Sequence, residues 1–251
     1  TIGYIDYDRE VFNSHLCKSI KDLDGTYDIV DIPASGKAAK DYNDIIKKSD
    51  NRYILLIHQD MEIPADFLES VRKTINEHPD FGVLGLVGYD SFENHNRNTI
   101  FSEAGKSKET VFFDSCCILI NKDNNIQFDE ETFDELHMYV EDYCMQAIQK
   151  GLKNYTFNVS YESTKHFGAT YYKTNEMWGR YGEYYEKFMN KWKQIHFLDS
   201  LEENIKPMDP IMYDDMFVVN SYCDEPVEFK GKTLIDIGGY RGFYTLKGLK
   251  N

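Results

Sequence analysis

Short apolar runs alternate along the chain with segments whose apolar positions recur at helical spacing. Ile2–Ile5, Tyr27–Ile32 and Ile54–Ile57 read as strands, the last buried because polar residues bound it on both sides. Between the last two lies Lys37–Lys48. Its Ala38, Ala39, Tyr42, Ile45 and Ile46 fall on one side of a helix. Ile63-Pro64 opens a further helix carrying Phe67, Leu68, Val71 and Ile75, and proline suits a first helical turn. Phe81–Val87 and Val111–Ile120 read as two more buried strands, with Cys116 and Cys117 inside the second. Tyr139–Lys150 is a helix with Cys144, Ala147 and Ile148 on one face, stopped by Gly151 as the residue past its end. Tyr171–Phe197 is a long helical pattern rich in aromatic and charged residues. Strands alternating with helices in this way predict an α/β fold with a largely parallel sheet.

The remaining stretches set the organisation. Asp90–Lys108 is polar and reads as a loop or hairpin, and Glu202–Pro210 is a linker by composition. The expected division is one domain over 1–200 and a linker plus the start of something else over 201–251. No internal repeat and no low-complexity tract occurs. Thr1 begins a short strand that meets Asp6 at once, which is not a signal-peptide pattern. A start on Thr rather than Met reads as an excised piece. The longest apolar runs fall far short of the ~20 residues that span a bilayer.

Composition narrows the function. The 251 residues carry 28 Lys+Arg and 43 Asp+Glu, a formal charge of −15. A nucleic-acid partner needs a basic surface, so this balance argues against one and, more weakly, against docking on anionic lipid. The hydrophobic share of 41% is enough for a sizeable core and excludes whole-chain disorder. Five cysteines, at 17, 116, 117, 144 and 223, form no CxxC pair, and several sit in apolar stretches. They read as reduced, buried thiols of a cytosolic protein, without zinc-site spacing.

Three constellations bear on chemistry. First, the buried strand Ile54–Ile57 ends in His58-Gln59-Asp60. Ligands of open α/β sheets bind outside the carboxyl ends of strands, and an acid there can hold a divalent cation against a diphosphate. The same residues also suit a plain loop. Second, Glu141-Asp142 stands at the head of the Tyr139–Lys150 helix. A carboxylate there is either a general base beside an acceptor hydroxyl or an acid favoured by the helix dipole alone. Third, His166 lies in Thr164-Lys165-His166-Phe167-Gly168, and a neutral imidazole is a metal ligand.

The order of these pieces resembles the family 2 glycosyltransferases of the GT-A fold over residues 1 to about 192. His58-Gln59-Asp60 stands where that family has its DxD element, with His58 in place of the first Asp, so Asp60 is the acid that carries over. Phe113–Cys117 resembles the segment lining the acceptor side. Gln127–Glu130, the Leu136–Cys144 helix opening and His166-Phe167-Gly168 follow in the family's order. The resemblance implies a GT-A fold, a Rossmann-like, mostly parallel sheet with a helical C-terminal extension. It implies an inverting enzyme that uses a nucleotide-sugar donor and Mn²⁺ or Mg²⁺. In it Asp60 and His166 hold the metal, Asp142 is the base and Glu141 assists. Asp31, Gly36, Asn43, His58 and Asp60 attend the donor. A glycan or lipid-linked acceptor, a role in bacterial surface polysaccharide synthesis, and a cytoplasmic place or one at the inner membrane face go with it. The rival reading is a GT-A domain that has lost catalysis and serves as a binding scaffold.

A fourth motif is separate. Leu234-Ile235-Asp236-Ile237-Gly238-Gly239 followed by Gly242 resembles the first motif of SAM-dependent methyltransferases. Only nine residues follow Gly242, so this piece is expected to be the start of a further domain or a coincidental strand and turn. If it is a start, Leu234–Ile237 is expected outside the main sheet.

Overall fold

The computed structural model describes residues 1–90, 99–168 and 180–192. The chain divides into two units, Thr1–Phe188 and Met189–Asn251. The tail motif at 232–245 and its expected strand lie outside the described residues, as does Cys223.

The first unit is built on a sheet that has seven strands among the described residues. Their spatial order is β2 (Ile29–Pro33), β1 (Ile2–Asp6), β3 (Tyr53–Ile57), β10 (Cys117–Asn121), β5 (Phe81–Gly85), β11 (Lys153–Thr156) and β8 (Glu109–Thr110). β1 runs parallel to β2 and β3, and β11 runs parallel to β5. β10 is antiparallel to both its neighbours and β8 is antiparallel to β11, so five strands share one direction. The expected α/β fold with a largely parallel sheet is borne out. Strands covered on both faces need continuous apolar runs, and Ile54–Ile57 and Cys117–Ile120 are buried throughout.

Helices α3 (Ala38–Lys48) and α4 (Phe67–Glu77) form within a residue or a few of the expected positions. α3 turns Ala38, Ala39, Tyr42 and Ile45 inward, and α4 turns in Phe67 and Val71. Pro64 lies in the turn before α4, whose first N–H, at Phe67, bonds to the Pro64 carbonyl at 3.0 Å. Helix α5 (Tyr139–Gln149) ends before Gly151, whose φ of +78° is the conformation that favours glycine. Residues 180–192 are helical, within the long pattern expected there. None of the described helices is long and apolar enough to cross a membrane.

Three expectations need correction. Two short helices, α1 (Arg9–Ser14) and α2 (Leu16–Lys21), fill a stretch left unassigned in the sequence. Asp8 caps α1, accepting the N–H groups of Glu10 and Val11 at 2.9 and 3.2 Å. Six residues each are too few to show a clear period. The other two corrections concern Phe81–Val87 and Val111–Ile120, which are not single strands. Each crosses from one sheet to another. β5 and β10 belong to the main sheet, whereas β6 (Val87–Tyr89), β7 (Thr99–Phe101) and β9 (Phe112–Phe113) make a small second one. Gly85 sits at the crossing. A Cβ there would meet the Phe113 ring at 2.5 Å, so only glycine lets β9 fold over β5. β6 pairs antiparallel with β7, which makes the described part of Asp90–Lys108 begin as the second arm of a hairpin.

The two remaining strands, β4 (Met61–Glu62) and β12 (Lys165–His166), pair with each other and stand apart from both sheets. They matter most for the site.

Candidate active site at the carboxyl edge of the sheet

β1 and β3 run parallel, so their carboxyl ends open on the same edge. A cleft open to solvent lies there. Ile5 and Tyr7 after β1, His58, Gln59 and Asp60 after β3, Ala34–Ala38 with Asp41 and Tyr42, and Leu136 with Tyr139 at the start of α5 supply its walls.

The β3 end is held by local bonds. The His58 N–H donates to the Cys116 carbonyl at 2.9 Å, and Met61 closes the turn on the His58 carbonyl at 3.2 Å. Gln59 is fully buried and has a structural task. Its Nε2 donates to the Asp8 carbonyl at 2.7 Å, while its Oε1 accepts the Tyr7 N–H at 3.1 Å. It thereby fixes the loop that carries Tyr7 into the cleft.

β4 and β12 then bring a distant residue to this edge. His166 pairs with Met61 and Lys165 with Glu62, and the Phe167 N–H donates to the Asp60 carbonyl at 3.2 Å. A second clamp comes from His15, stacked on Phe167 at 3.9 Å between ring centres with its Nδ1 3.2 Å from a Glu62 oxygen. As a result His166 Nε2 lies 3.4 Å from Asp60 Oδ1. One donor atom from each of His58, Asp60 and His166 falls within 4.8 Å of the other two.

Electrostatics follow from this packing. Burial alone would push the Asp60 carboxyl up, but the His166 ring beside it and the charge of His58 outweigh that and hold it below the ordinary carboxylate range. Burial pulls His166 down, but the Asp60 carboxylate and, more weakly, Asp114 bring it above an ordinary imidazole. His58 is lowered, first by burial and then by the neighbouring His166.

The other candidates are placed less uniformly. Gly36 lines the cleft with φ +82° in a loop whose shape Asp41 sets. Both Asp41 oxygens accept from Ser35, its N–H at 2.9 Å and its Oγ at 2.6 Å. Asp31 is exposed in the middle of β2, and Arg9 reaches it at 3.3 Å while also pairing with Asp6 and donating to Tyr4 Oη at 3.1 Å. Asn43 does not line the cleft. Its amide bridges the backbone of Phe128, accepting that N–H at 3.0 Å and donating to that carbonyl at 2.9 Å. Glu141 is half-buried in the first turn of α5. Asp142 is wholly buried, is not among the cleft-lining residues, and accepts the Gln146 amide at 2.8 Å. It follows the cleft-lining Tyr139 by three positions, on the same side of the helix.

Tyr7 went unread, and Gln59 and Asp41 were not singled out as residues that shape the site. Only Asp41 left a usable signal: a carboxylate at 41 falls between Ala38 and Tyr42 on the apolar face of α3, where a buried acid must have a partner. Three of the four described cysteines match the reading of buried thiols, and Cys17 is free but only half-buried. Cys116, Cys117 and Cys144 are buried and free, and burial pushes their thiols up.

Residues 14–111 match the model of a family described as "Glycosyltransferase like family", so this part of the chain is similar to that family. No curated protein matches. Among solved structures, S. aureus TarS 1–349 is similar at 17% identity over 63% of this chain and 57% of that one, with a TM-score of 0.44. Its complex with UDP-GlcNAc is similar at 15% identity over 75% and 66%, with a TM-score of 0.46. A197 from STIV is similar at 14% over 67% and 85%, with a TM-score of 0.42. The chain spans little more than half the length of TarS 1–349.

Proposed function

We propose that this chain is an inverting glycosyltransferase that moves a sugar from a nucleoside-diphosphate donor to a hydroxyl acceptor. The observation that carries the reading is the meeting of His58, Asp60 and His166 at one end of the cleft, within and beside a glycosyltransferase-like segment. The residues fit a divalent cation. The buried Asp60 Oδ1 has no hydrogen-bond partner, and imidazole nitrogens stand beside it. Asp60 and His166 hold Mn²⁺ or Mg²⁺, which when bound supplies positive charge to the leaving diphosphate.

The rest of the cleft suits such a donor. The Ala34–Ala38 loop, with Gly36 backbone exposed and no side chain in the way, admits a diphosphate or ribose. Asp31 on β2 and Arg9 at the start of α1 offer polar contacts to a nucleoside. Asn43 serves the donor side through Phe128, by tying α3 to the segment before α5. Asp142 accepts the acceptor hydroxyl proton as the oxygen attacks the anomeric carbon, with Glu141 orienting it, and the nucleoside diphosphate leaves from the opposite face. A glycan or lipid-linked acceptor, surface polysaccharide synthesis and a place at the inner membrane face complete the reading.

The complete burial of Asp142 favours a second reading, a binding module without turnover. One assay separates the two. The chain is incubated with Mn²⁺ and UDP-, GDP-, dTDP- and CMP-sugars, and free nucleotide is measured with and without acceptor glycans. Nucleotide release from one donor is expected. Donor binding without release from any of them, at any acceptor tried, would establish the binding module.

A further inference from the structure

We propose that His58 is a third ligand of the cation site, making it a two-histidine, one-carboxylate centre that takes transition-metal dications in preference to Mg²⁺. The proposal rests on the reading of Asp60 and His166 as cation ligands and adds the identity of the third ligand and the class of metal.

Geometry carries it. The three donor atoms lie within 4.8 Å of one another. Two ligands of one ion at about 2.1 Å can stand no more than about 4.2 Å apart, so small side-chain rotations close the set. The two imidazoles meet edge to face at 5.5 Å between centres, both turned toward the same carboxylate. His58 is not free to point elsewhere, because its backbone is pinned to Cys116 and to the turn at Met61. Among the described residues Asp60 Oδ1, in a side chain 6% exposed, makes no hydrogen bond and faces the His166 ring, whose Nε2 is 3.4 Å away. A buried carboxylate oxygen with no hydrogen bond is costly as mere packing, and a cation shared with the two rings satisfies it.

The metal class follows from the donor atoms. Mg²⁺ wants oxygen ligands in near-ideal octahedral geometry, and imidazole suits the later first-row dications. A carboxylate at position 58 would make the set oxygen-rich. His58 replaces that hard, charged oxygen by a neutral nitrogen. One carboxylate and two imidazoles then bind Mn²⁺, Co²⁺ or Zn²⁺ better than Mg²⁺, while three protein ligands leave positions for oxygens of the donor.

The test uses the full chain without any sugar donor. Co²⁺ binding is followed by its visible absorption, Mn²⁺ by loss of the free-ion EPR signal, and Mg²⁺ by calorimetry. Co²⁺ and Mn²⁺ are expected to bind at least about tenfold more tightly than Mg²⁺. His58→Ala should weaken Co²⁺ by about tenfold or more, and His58→Asp should retain Mn²⁺ while lowering the Co²⁺ to Mg²⁺ ratio by a similar factor. Equal Co²⁺ affinity in the wild type and His58→Ala, with His166→Ala impaired and circular dichroism unchanged, removes His58 from the ligand set. Mg²⁺ binding as tightly as Co²⁺ overturns the metal preference. Nucleotide release is measured on the same samples. Metal selectivity without release from any donor supports this inference and tells against glycosyl transfer. Release that Mg²⁺ sustains as well as Co²⁺, with His58→Ala unimpaired, does the reverse.

Discussion

At the carboxyl edge of β3, two strands outside both sheets serve to hold His166 beside Asp60. At the start of α5 no such device exists. Glu141 and Asp142 take their positions from the helix itself, and Asp142 lies buried one turn behind the cleft-lining Tyr139, bonded to Gln146 four residues on. The first region is a preformed charge site assembled from residues far apart in the chain. The second is a local arrangement whose acid is covered in this conformation. On the proposed reading, the contrast teaches that the His58, Asp60 and His166 end of the cleft is assembled before any ligand arrives, so cation and nucleotide binding should be separable from proton transfer.

The largest effect that would break this comparison comes from Asp60. Asp60→Ala removes the only carboxylate among the three converging groups, and stabilisation by a cation is worth several kcal/mol. Donor-dependent nucleotide release should fall on the order of 10³–10⁴-fold, and calorimetry should show metal-dependent donor binding lost. Retained donor binding with Mn²⁺ would mean that the preformed site does not serve the donor.

Asp142→Asn comes next. It keeps the shape and removes the basic oxygen. Transfer should drop about 10²–10⁴-fold while donor affinity measured calorimetrically stays near the wild-type value. Transfer at the wild-type rate would leave Asp142 as an acid placed by the helix dipole, and Glu141→Gln would then be the variant to measure.

Asn43 joins the two regions, since it sits on α3 and grips Phe128 ahead of α5. Asn43→Ala leaves a backbone N–H and a carbonyl without their partner, at a cost of about 2 kcal/mol. Thermal melting should shift down by roughly 4–8 °C, with the KM for donor changed far less than in Asp60→Ala. A large rise in KM with unchanged melting would return Asn43 to direct donor contact.

The smallest effect concerns the flank of the α5 region. Tyr184 Oη donates to Asp134 Oδ1 at 2.7 Å, and this bond first of all holds the Asp134 carboxyl below its ordinary value. A depressed carboxyl stabilises the fold above its ordinary pKa, and the contribution disappears as pH falls through the depressed value. Tyr184→Phe should therefore lower the melting temperature at neutral pH by a degree or so and flatten its decline on acidification. Because Asp134 is close to half exposed, the bond is worth under about 1 kcal/mol. An unchanged acid limb in the variant would show that other carboxylates control it.

Much of the frame was legible along the chain. The continuous apolar runs at Ile54–Ile57 and Phe81–Leu84 could only be buried strands, and the spacing of Ala38, Tyr42 and Ile45 could only be one helix face. His58-Gln59-Asp60 at the end of such a strand marked the sheet edge where ligands bind. These readings succeed because periodicity and strand polarity are local properties of the sequence. Gln59 was visible as part of that triplet, but its task was not, since its bonds go to Tyr7 and Asp8, some fifty residues away.

What tertiary structure alone decided are the places where distant segments meet. Phe81–Val87 is apolar without a break and Val111–Ile120 is interrupted only by Asp114-Ser115, yet each is divided between two sheets, because Phe113 packs onto the space above Gly85. Nothing in Lys165-His166 announces a strand. Its two residues take that conformation because Met61-Glu62 offers an unpaired edge, and that pairing sets His166 against Asp60. Residue types and their order thus determined which groups are chemically able to serve. Backbone hydrogen bonding between segments a hundred residues apart decided which of them stand together, since a pairing partner is a property of neighbouring chain and not of the pattern itself.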